Sequence, residues 1–258
     1  MVLEQFSLSG DTAVITGGSR GIGKALAEGL AQAGANVCIV NRNQETGEAA
    51  AEQINEETNS NAISVPADIT NEAQVEAMTE EVLDTFGSVD ILVNNAGIAR
   101  TAPAHEMSLE TWNEVLEVNL TGVFLCTKHA GGAMVNGDGG NIINISSMSA
   151  FVANYPMEEV VYHASKGGVV SFTRQLASEW AKHDVRVNSI APGYIRTEMI
   201  DELLKEQPEM EELWLSEMLM DEMAPPEELA GTAVYLASDA SSYMTGETII
   251  IDGGYTVR

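Results

Sequence analysis

The sequence predicts an α/β domain: a doubly wound parallel sheet of about seven strands with helices on both faces. Three observations carry this reading. Apolar runs of strand length alternate with amphipathic stretches of helix length from end to end, the pattern of repeated βαβ units. The length of 258 residues suits one such domain better than two small ones. Apolar residues make up 45% and charged residues 20%, a soluble globular composition, and no apolar run approaches the roughly 18 residues of a spanning helix.

Taken in order, Thr12–Thr16 reads as a strand because it is apolar and β-branched, and Gly21–Ala33 as the helix that follows. Asn36–Val40 is the second strand, and the Ala- and Glu-rich Gln44–Glu57 the second helix. Ala62–Pro66 and Glu72–Phe86 form the next pair, and Asp90–Asn94 the fourth strand. Leu109–Val135 reads as one long helix and Asn141–Ser146 as strand five. Val160–His183 is a helix, Val185–Ala191 strand six, Pro225–Ala237 a helix and Glu247–Ile251 the last strand. Repeats, linkers and low-complexity segments are lacking, so residues 1–258 form one domain. Arg196–Pro225 breaks the rhythm, with five methionines among acidic residues. A long insertion of this kind reads as a substrate lid at about 196–225, against the plainer reading of two packed surface helices.

The net charge is −27, from 12 basic and 39 acidic side chains. Such a field repels nucleic acid and anionic membrane, and it implies a protein adapted to concentrated salt, against an ordinary acidic enzyme as the alternative. The N-terminus carries no secretory signal pattern, and Cys38 and Cys126 sit within apolar runs. The expected compartment is therefore a reducing cytoplasm. His105, His129, His163 and His183 show no metal-ligand spacing, and no metal is expected.

Strand one runs into Gly17-Gly18-Ser19-Arg20-Gly21-Ile22-Gly23. Glycines that end a first strand and open a helix let backbone N–H groups approach a pyrophosphate at the helix N-terminus. Strand two ends in Val40-Asn41-Arg42. The carboxylate that would hold a ribose 2′-hydroxyl is replaced by Asn41, and Arg42 and Arg20 are placed to clamp a 2′-phosphate, which favours NADP(H) over NAD(H). Further on come Ser146, Ser147 and Tyr162-His163-Ala164-Ser165-Lys166. Tyr and Lys at i and i+4 share one helix face, and an ammonium beside a phenol favours phenolate, so Tyr162 reads as an acid–base group. Tyr155 is the rival; Glu159 four residues on is expected to raise its pKa and leave Tyr162 preferred.

With these residues in view the whole chain, from Ser7 onward, resembles the short-chain dehydrogenase/reductase family with its Rossmann fold. The matching motifs are Thr16-Gly17-x-x-x-Gly21-x-Gly23, Asp68, Asn94-Asn95-Ala96-Gly97, Asn119, Ser147, Tyr162-x-x-x-Lys166 and Pro192-Gly193. The resemblance implies that Asp68 and the Ile69 backbone hold adenine and that Asn95, Ala96 and Gly97 line the adenosine side. It implies that Asn119 anchors a water linked to Lys166, and that Lys166 holds the nicotinamide ribose and depresses the pKa of Tyr162. Tyr162 is then general acid in reduction and base in oxidation, and Ser147 polarises the carbonyl. The Ile195 backbone fixes the carboxamide and Thr197 reaches the cofactor near the lid hinge. Ser147 and Tyr162 stand further apart than is usual in the family. The extra residues fall in the Phe151–Val161 loop, marking it as a substrate determinant.

Within the family the ending and this loop are similar to the mannitol, sorbose and xylulose reductase branch. The implied activity is hydride transfer between NADP(H) and a small ketone or secondary alcohol, a ketose or polyol first. A 3-oxoacyl thioester reductase and a non-catalytic NADP-sensing regulator are the alternatives. A homotetramer built on the two longest helices is the implied assembly.

Overall fold

The computed structural model describes residues 1–258. Seven strands, β1 (Thr12–Thr16), β2 (Asn36–Asn41), β3 (Ala62–Pro66), β4 (Ile91–Asn94), β5 (Gly140–Ile145), β6 (Val185–Pro192) and β7 (Thr248–Ile251), form one sheet in the order β3-β2-β1-β4-β5-β6-β7. Every neighbouring pair is parallel. Central strands of such a sheet are covered on both faces, so they are apolar throughout rather than alternating; all five residues of β1 are buried. The strand order reverses between β1 and β4. The carboxyl ends of the strands diverge there and leave the crevice where ligands of this fold class bind.

The helices are α1 (Gly21–Gln32), α2 (Gln44–Glu57), α3 (Glu72–Phe86), α4 (Leu109–Leu116), α5 (Gly122–Cys126), α6 (Gly132–Asn136), α7 (Val160–Trp180), α8 (Glu198–Glu206), α9 (Glu209–Glu217) and α10 (Ala230–Ala237). Short polar residues begin several of them: Asn43, Asn71, Ser108 and Thr197 each accept a backbone N–H from the first turn of α2, α3, α4 and α8. Gly87 ends α3 with φ near 88°, which only glycine adopts without strain. One apolar layer joins α1, α2 and α10 to the sheet through Leu26, Leu30, Ile54 and Leu236. The opposite layer joins α3, α5, α6 and α7 through Val75, Met78, Cys126, Met134 and Leu176.

The element order agrees with the sequence reading, and the departures are local. The helix expected over Leu109–Val135 reaches Asn136 and is interrupted by π turns at Glu117–Thr121 and Thr127–Gly131, which separate α4, α5 and α6. The helix expected from Pro225 opens as a 3-10 turn, Pro226–Leu229, before α10. Val160–His183 ends its α-helical part at Trp180 and finishes as a 3-10 turn.

The insertion after β6 folds into α8 and α9. Leu204, Met210, Trp214, Met218 and Met223 bury one another there, while Met199 and Met220 stay exposed. Trp214 stacks on Tyr194 with ring centroids 4.2 Å apart, and Tyr255 meets Tyr194 edge-on. The backbone N–H groups of Leu219 and Met220 both donate to the Gly253 carbonyl, so the insertion is seated on the C-terminal turn.

Candidate active site

The glycine turn between β1 and α1 is built for close approach. Gly17 and Gly21 have φ of 66° and 52°. Gly23 has an ordinary φ, but a Cβ there would fall 2.2 Å from the Gly17 carbonyl oxygen and 2.4 Å from Asn95 Nδ2. Asn95 braces the turn from β4, donating through Nδ2 to the carbonyls of Thr16 (3.0 Å) and Gly17 (3.2 Å). The N–H groups of Asn95 and Ala96 both donate to Thr16 Oγ1. The expected motif of β1 and that of β4 are thus one hydrogen-bonded unit across the strand-order reversal. Thr197, which caps α8, places its methyl 3.4 Å from the Cβ position of Gly21, so the base of the insertion meets the glycine turn. Ile195 is buried and bridged to Ala224, and Gly193 donates its N–H to the Ile251 carbonyl just past Pro192.

At the end of β2 the side chains separate. Arg42 and Arg20 are exposed, and the eight ion pairs of the chain involve neither. Asn41 turns into the β2–α2 connection, donating to the Asn43 carbonyl (2.6 Å) and Thr46 Oγ1 (2.9 Å). Its side chain therefore serves the turn, and what it brings to the neighbouring space is the lack of a negative charge. Asp68 accepts from the N–H and hydroxyl of Thr70, which hold its carboxyl below the usual range, with Arg42 adding a smaller pull. Ile69 is buried beside it, packed against Gly122.

The catalytic candidates converge at the ends of β4 and β5. The first π turn carries Asn119 inward, where it is fully buried. Its Oδ1 accepts the Ile98 N–H at 2.8 Å, and its Nδ2 donates to the Ile98 carbonyl and to Ser165 Oγ. A Cβ at Gly97 would lie 3.3 Å from Asn119 Oδ1 and 3.4 Å from Lys166 Nζ, so both reach the same backbone turn. A buried network, Asn94 to Asn144 to Thr173, ties β4 and β5 to α7 and sets the rotation of the helix that presents Tyr162 and Lys166. Of the adjacent serines, Ser146 is turned into the sheet, donating to the Ile190 carbonyl, and Ser147 is the one beside the Tyr162 phenol.

Two expectations about this cluster are corrected. Lys166 does not depress the Tyr162 pKa here: its Nζ donates to the Ile145 carbonyl at 2.8 Å and stands 5.6 Å from the phenol ring centroid. Burial pushes the phenol up to about 12, with the neighbouring Ser147 hydroxyl opposing, and burial brings Lys166 down to about 8. Glu159 was expected to act on Tyr155, but Tyr155 is 82% exposed and leaves the site. Tyr162 and Tyr194 are raised chiefly by burial, and the Glu159 carboxylate adds a smaller push to each.

Three residues that sequence reasoning did not name reach the site, together with Glu159. Ser149 and Asn154 are buried against Ser147. Glu159, half-buried at the start of α7, makes no side-chain capping bond and carries a pKa raised by burial. Tyr194 follows Pro192-Gly193 and has a buried hydroxyl without a partner. The signal for Asn154 was the unusual loop length; Ser149 and Tyr194 had none.

A nucleotide crevice at a strand-order reversal, with Ser, Tyr and Lys converging on one point beside it, defines a nucleotide-dependent oxidoreductase acting on a carbonyl or alcohol. The comparisons agree. The family model described as Enoyl-(Acyl carrier protein) reductase matches residues 17–256. Galactitol 2-dehydrogenase of Rhizobium johnstonii is 39% identical over 255 residues, covering 98% of each chain. The 3-oxoacyl-[acyl-carrier-protein] reductase of Aquifex aeolicus is 38% identical over 250 residues, covering 97% of this chain and 99% of the other. Among solved structures, L-sorbose reductase from Gluconobacter frateurii, complexed with NADPH and L-sorbose, superposes with a TM-score of 0.92 at 32% identity, covering 98% of this chain and 99% of that one. The chain belongs to the short-chain dehydrogenase/reductase family.

Proposed function

We propose that this chain is an NADP(H)-dependent reductase of a small, neutral, polyhydroxylated ketone, and in reverse a dehydrogenase of the matching secondary alcohol. The observation that carries the substrate class is Glu159. Its half-buried carboxylate has no hydrogen-bond donor from the protein, and its charge acts on Tyr162 and Tyr194 together. A carboxylate in that position accepts hydrogen bonds from substrate hydroxyls and repels an anionic substrate. This favours a ketose or polyol over the acyl thioester of an acidic carrier protein, and it accords with the galactitol and sorbose enzymes to which the chain is similar. A purely cofactor-sensing role is disfavoured by the intact Asn119, Ser147, Tyr162 and Lys166 set.

The site fits the cofactor on its own chemistry. The glycines at 17, 21 and 23 let the turn close tightly against Asn95, Ala96 and Thr197 under the start of α1, which suits a pyrophosphate at the helix N-terminus, and unpaired Arg20 and Arg42 suit a 2′-phosphate. Ser19 and Ile22 offer turn backbone; Asp68, Ile69, Asn95, Ala96 and Gly97 line the adenosine side; Pro192, Gly193, Ile195 and Thr197 close the nicotinamide end. When bound, NADP(H) supplies the hydride donor or acceptor. Tyr162 delivers a proton to the carbonyl oxygen in reduction and takes it back in oxidation, and Ser147 holds that oxygen by a hydrogen bond. Lys166, whose Nζ donates to the Ile145 carbonyl, is the residue that would hold the nicotinamide ribose hydroxyls. Asn119 holds the backbone turn at Ile98 against which Lys166 lies.

The same reading places the α8–α9 insertion over the substrate as a lid. It takes the assembly to be a homotetramer built on α4–α6 and α7, with exposed Phe124 on that surface. It places the protein in a salt-rich cytoplasm, in keeping with the charge of −27 and two free, buried thiols. The test is kcat/KM with NADPH and NADH against neutral ketoses, keto-acids of sugars and acetoacetyl thioesters. NADPH-dependent turnover of neutral ketoses is expected, with Glu159→Gln shifting preference toward the keto-acids. Turnover of the thioester alone overturns the substrate class, and a preference for NADH overturns the cofactor.

A further inference from the structure

The Phe151–Val161 loop sends one buried side chain back to the catalytic serine. Asn154 is 7% exposed, and its Nδ2 donates to Ser149 Oγ at 2.7 Å. Ser147 Oγ donates to Ser149 Oγ at 3.0 Å, and the Ser149 backbone N–H donates to Ser147 Oγ at 3.1 Å. Ser147 in turn stands beside the Tyr162 phenol. The three side chains make an unbroken line from the loop to the place where the reacting oxygen binds. Backbone bonds hold the loop end of the line: Met157 N–H to the Asn154 carbonyl at 2.7 Å, Val152 N–H to the Met148 carbonyl, and Ala102 N–H to the Glu158 carbonyl.

We infer that Asn154 is a positioning residue that gives this line its direction, so that Ser149 and then Ser147 orient their hydroxyl protons toward the substrate carbonyl. The inference rests on the carbonyl-reductase reading above. A hydroxyl both donates and accepts, so a pair of serines alone points either way with similar ease. An amide NH2 only donates. With Nδ2 fixed on Ser149 Oγ, the Ser149 proton is free to turn to Ser147. In the structure Ser147 points its proton at Ser149. A carbonyl oxygen, which only accepts, draws that proton to itself, and the Ser149 proton then fills the gap at Ser147 Oγ. No heavy atom moves, and each hydrogen bond in the chain polarises the next.

The amide orientation is itself supported by burial. Asn154 Oδ1 is buried without a partner. Turning the amide over would strand both N–H donors there, where the present orientation strands one acceptor and one N–H, and an orphaned acceptor is the cheaper of the two.

The discriminating variant is Asn154→Asp, which is nearly isosteric but accepts instead of donating when ionised. It draws the Ser149 proton to itself, Ser149 then takes the Ser147 proton, and the carbonyl loses a donor. The ionisable groups on the surrounding elements are Glu158 and Glu159 on the loop, Tyr162, His163 and Lys166 on α7, and Tyr194 after β6. Burial and Glu159 push an aspartate here upward, and Lys166 pulls it down. Activity is measured on whichever carbonyl the parent reduces best, so failure of the ketose reading shows separately and leaves the line tested.

Relative to the parent at each pH, kcat of Asn154→Asp is expected to fall by on the order of 10²-fold at alkaline pH, the size of a lost oxyanion donor. It is expected to recover as acidification restores an O–H donor, with the affinity for NADPH unchanged throughout. Asn154→Ala is expected to lose less and to show no acid recovery. In a second measurement, Ser149→Ala and Asn154→Ala are combined. The double variant is expected to be no slower than Ser149→Ala, because the amide acts through that hydroxyl. A flat pH ratio for Asn154→Asp, or additive losses in the double variant, overturns the inference.

Discussion

Gly23 can be tested as the keystone of the nucleotide turn. In Gly23→Ala the new methyl falls 2.2 Å from the Gly17 carbonyl oxygen and 2.4 Å from Asn95 Nδ2, both far inside contact distance. The backbone on one side must move by about 1 Å. Overpacking of this kind costs about 1–3 kcal/mol. If the Asn95 amide is displaced, its bonds to Thr16 and Gly17 weaken, at about 1 kcal/mol each. The total is about 3–5 kcal/mol, and in a chain of this size each kcal/mol lowers Tm by about 2–4 °C. A melting curve should therefore fall by about 6–20 °C, and the Kd for NADPH, read from its fluorescence, should rise by at least about tenfold if the shifted N–H groups are those that face the pyrophosphate. The control is Gly231→Ala, on the exposed first turn of α10, where a Cβ meets nothing within 4 Å. It should stabilise by up to about 1 kcal/mol. A Gly23→Ala protein with parental Tm and parental NADPH affinity would refute the close-approach argument.

Tyr162→Phe should remove nearly all turnover while NADPH still binds; retained activity would move the proton-transfer role elsewhere. Lys166→Met should be more stable than the parent at neutral pH. The parent's folded-state pKa, about 8, lies below the ordinary lysine value of 10.5, so the unfolded chain binds more protons between those values. The parent's stability therefore rises with pH through that window, and the gap between the two melting curves should narrow from pH 8 to 10.5; a constant gap would contradict the burial argument. Trp214→Ala should destabilise the insertion by about 3–5 kcal/mol, because it removes a buried indole stacked on Tyr194. Hydrogen exchange should show the loss confined to 196–225 with the sheet unchanged. Raising KCl from 0.1 M to molar levels shortens the Debye length from about 10 Å to about 3 Å. Tm should rise with it, and a flat response would make the acidic surface incidental.

The parts of the fold that were legible in the sequence are those governed by local periodicity. Apolar runs of strand length become central strands because a parallel sheet covered on both faces admits nothing else, and the glycines at 17, 21 and 23 sit where the chain must turn under a helix N-terminus. Tyr162 and Lys166 were legible for the same reason: a spacing of four on one helix fixes their common face. The π turn that aims Asn119 inward was not legible, since nothing in Glu117–Thr121 distinguishes it from ordinary helix. The state of the catalytic pair was also hidden. Spacing places Lys166 beside Tyr162, but burial and the Ile145 carbonyl decide their proton affinities.

Sequence alone determined the parallel α/β class, the run of strands and helices along the chain, and the glycine turn, because each depends on residues near one another in the chain. Tertiary structure decided which tyrosine is removed to solvent and which carboxylate shares space with Tyr162. It also decided that Asn154 reaches Ser147 through Ser149. These are contacts set by how one loop folds back over the ends of β4, β5 and β6, and a chain read in one dimension carries no record of that distance.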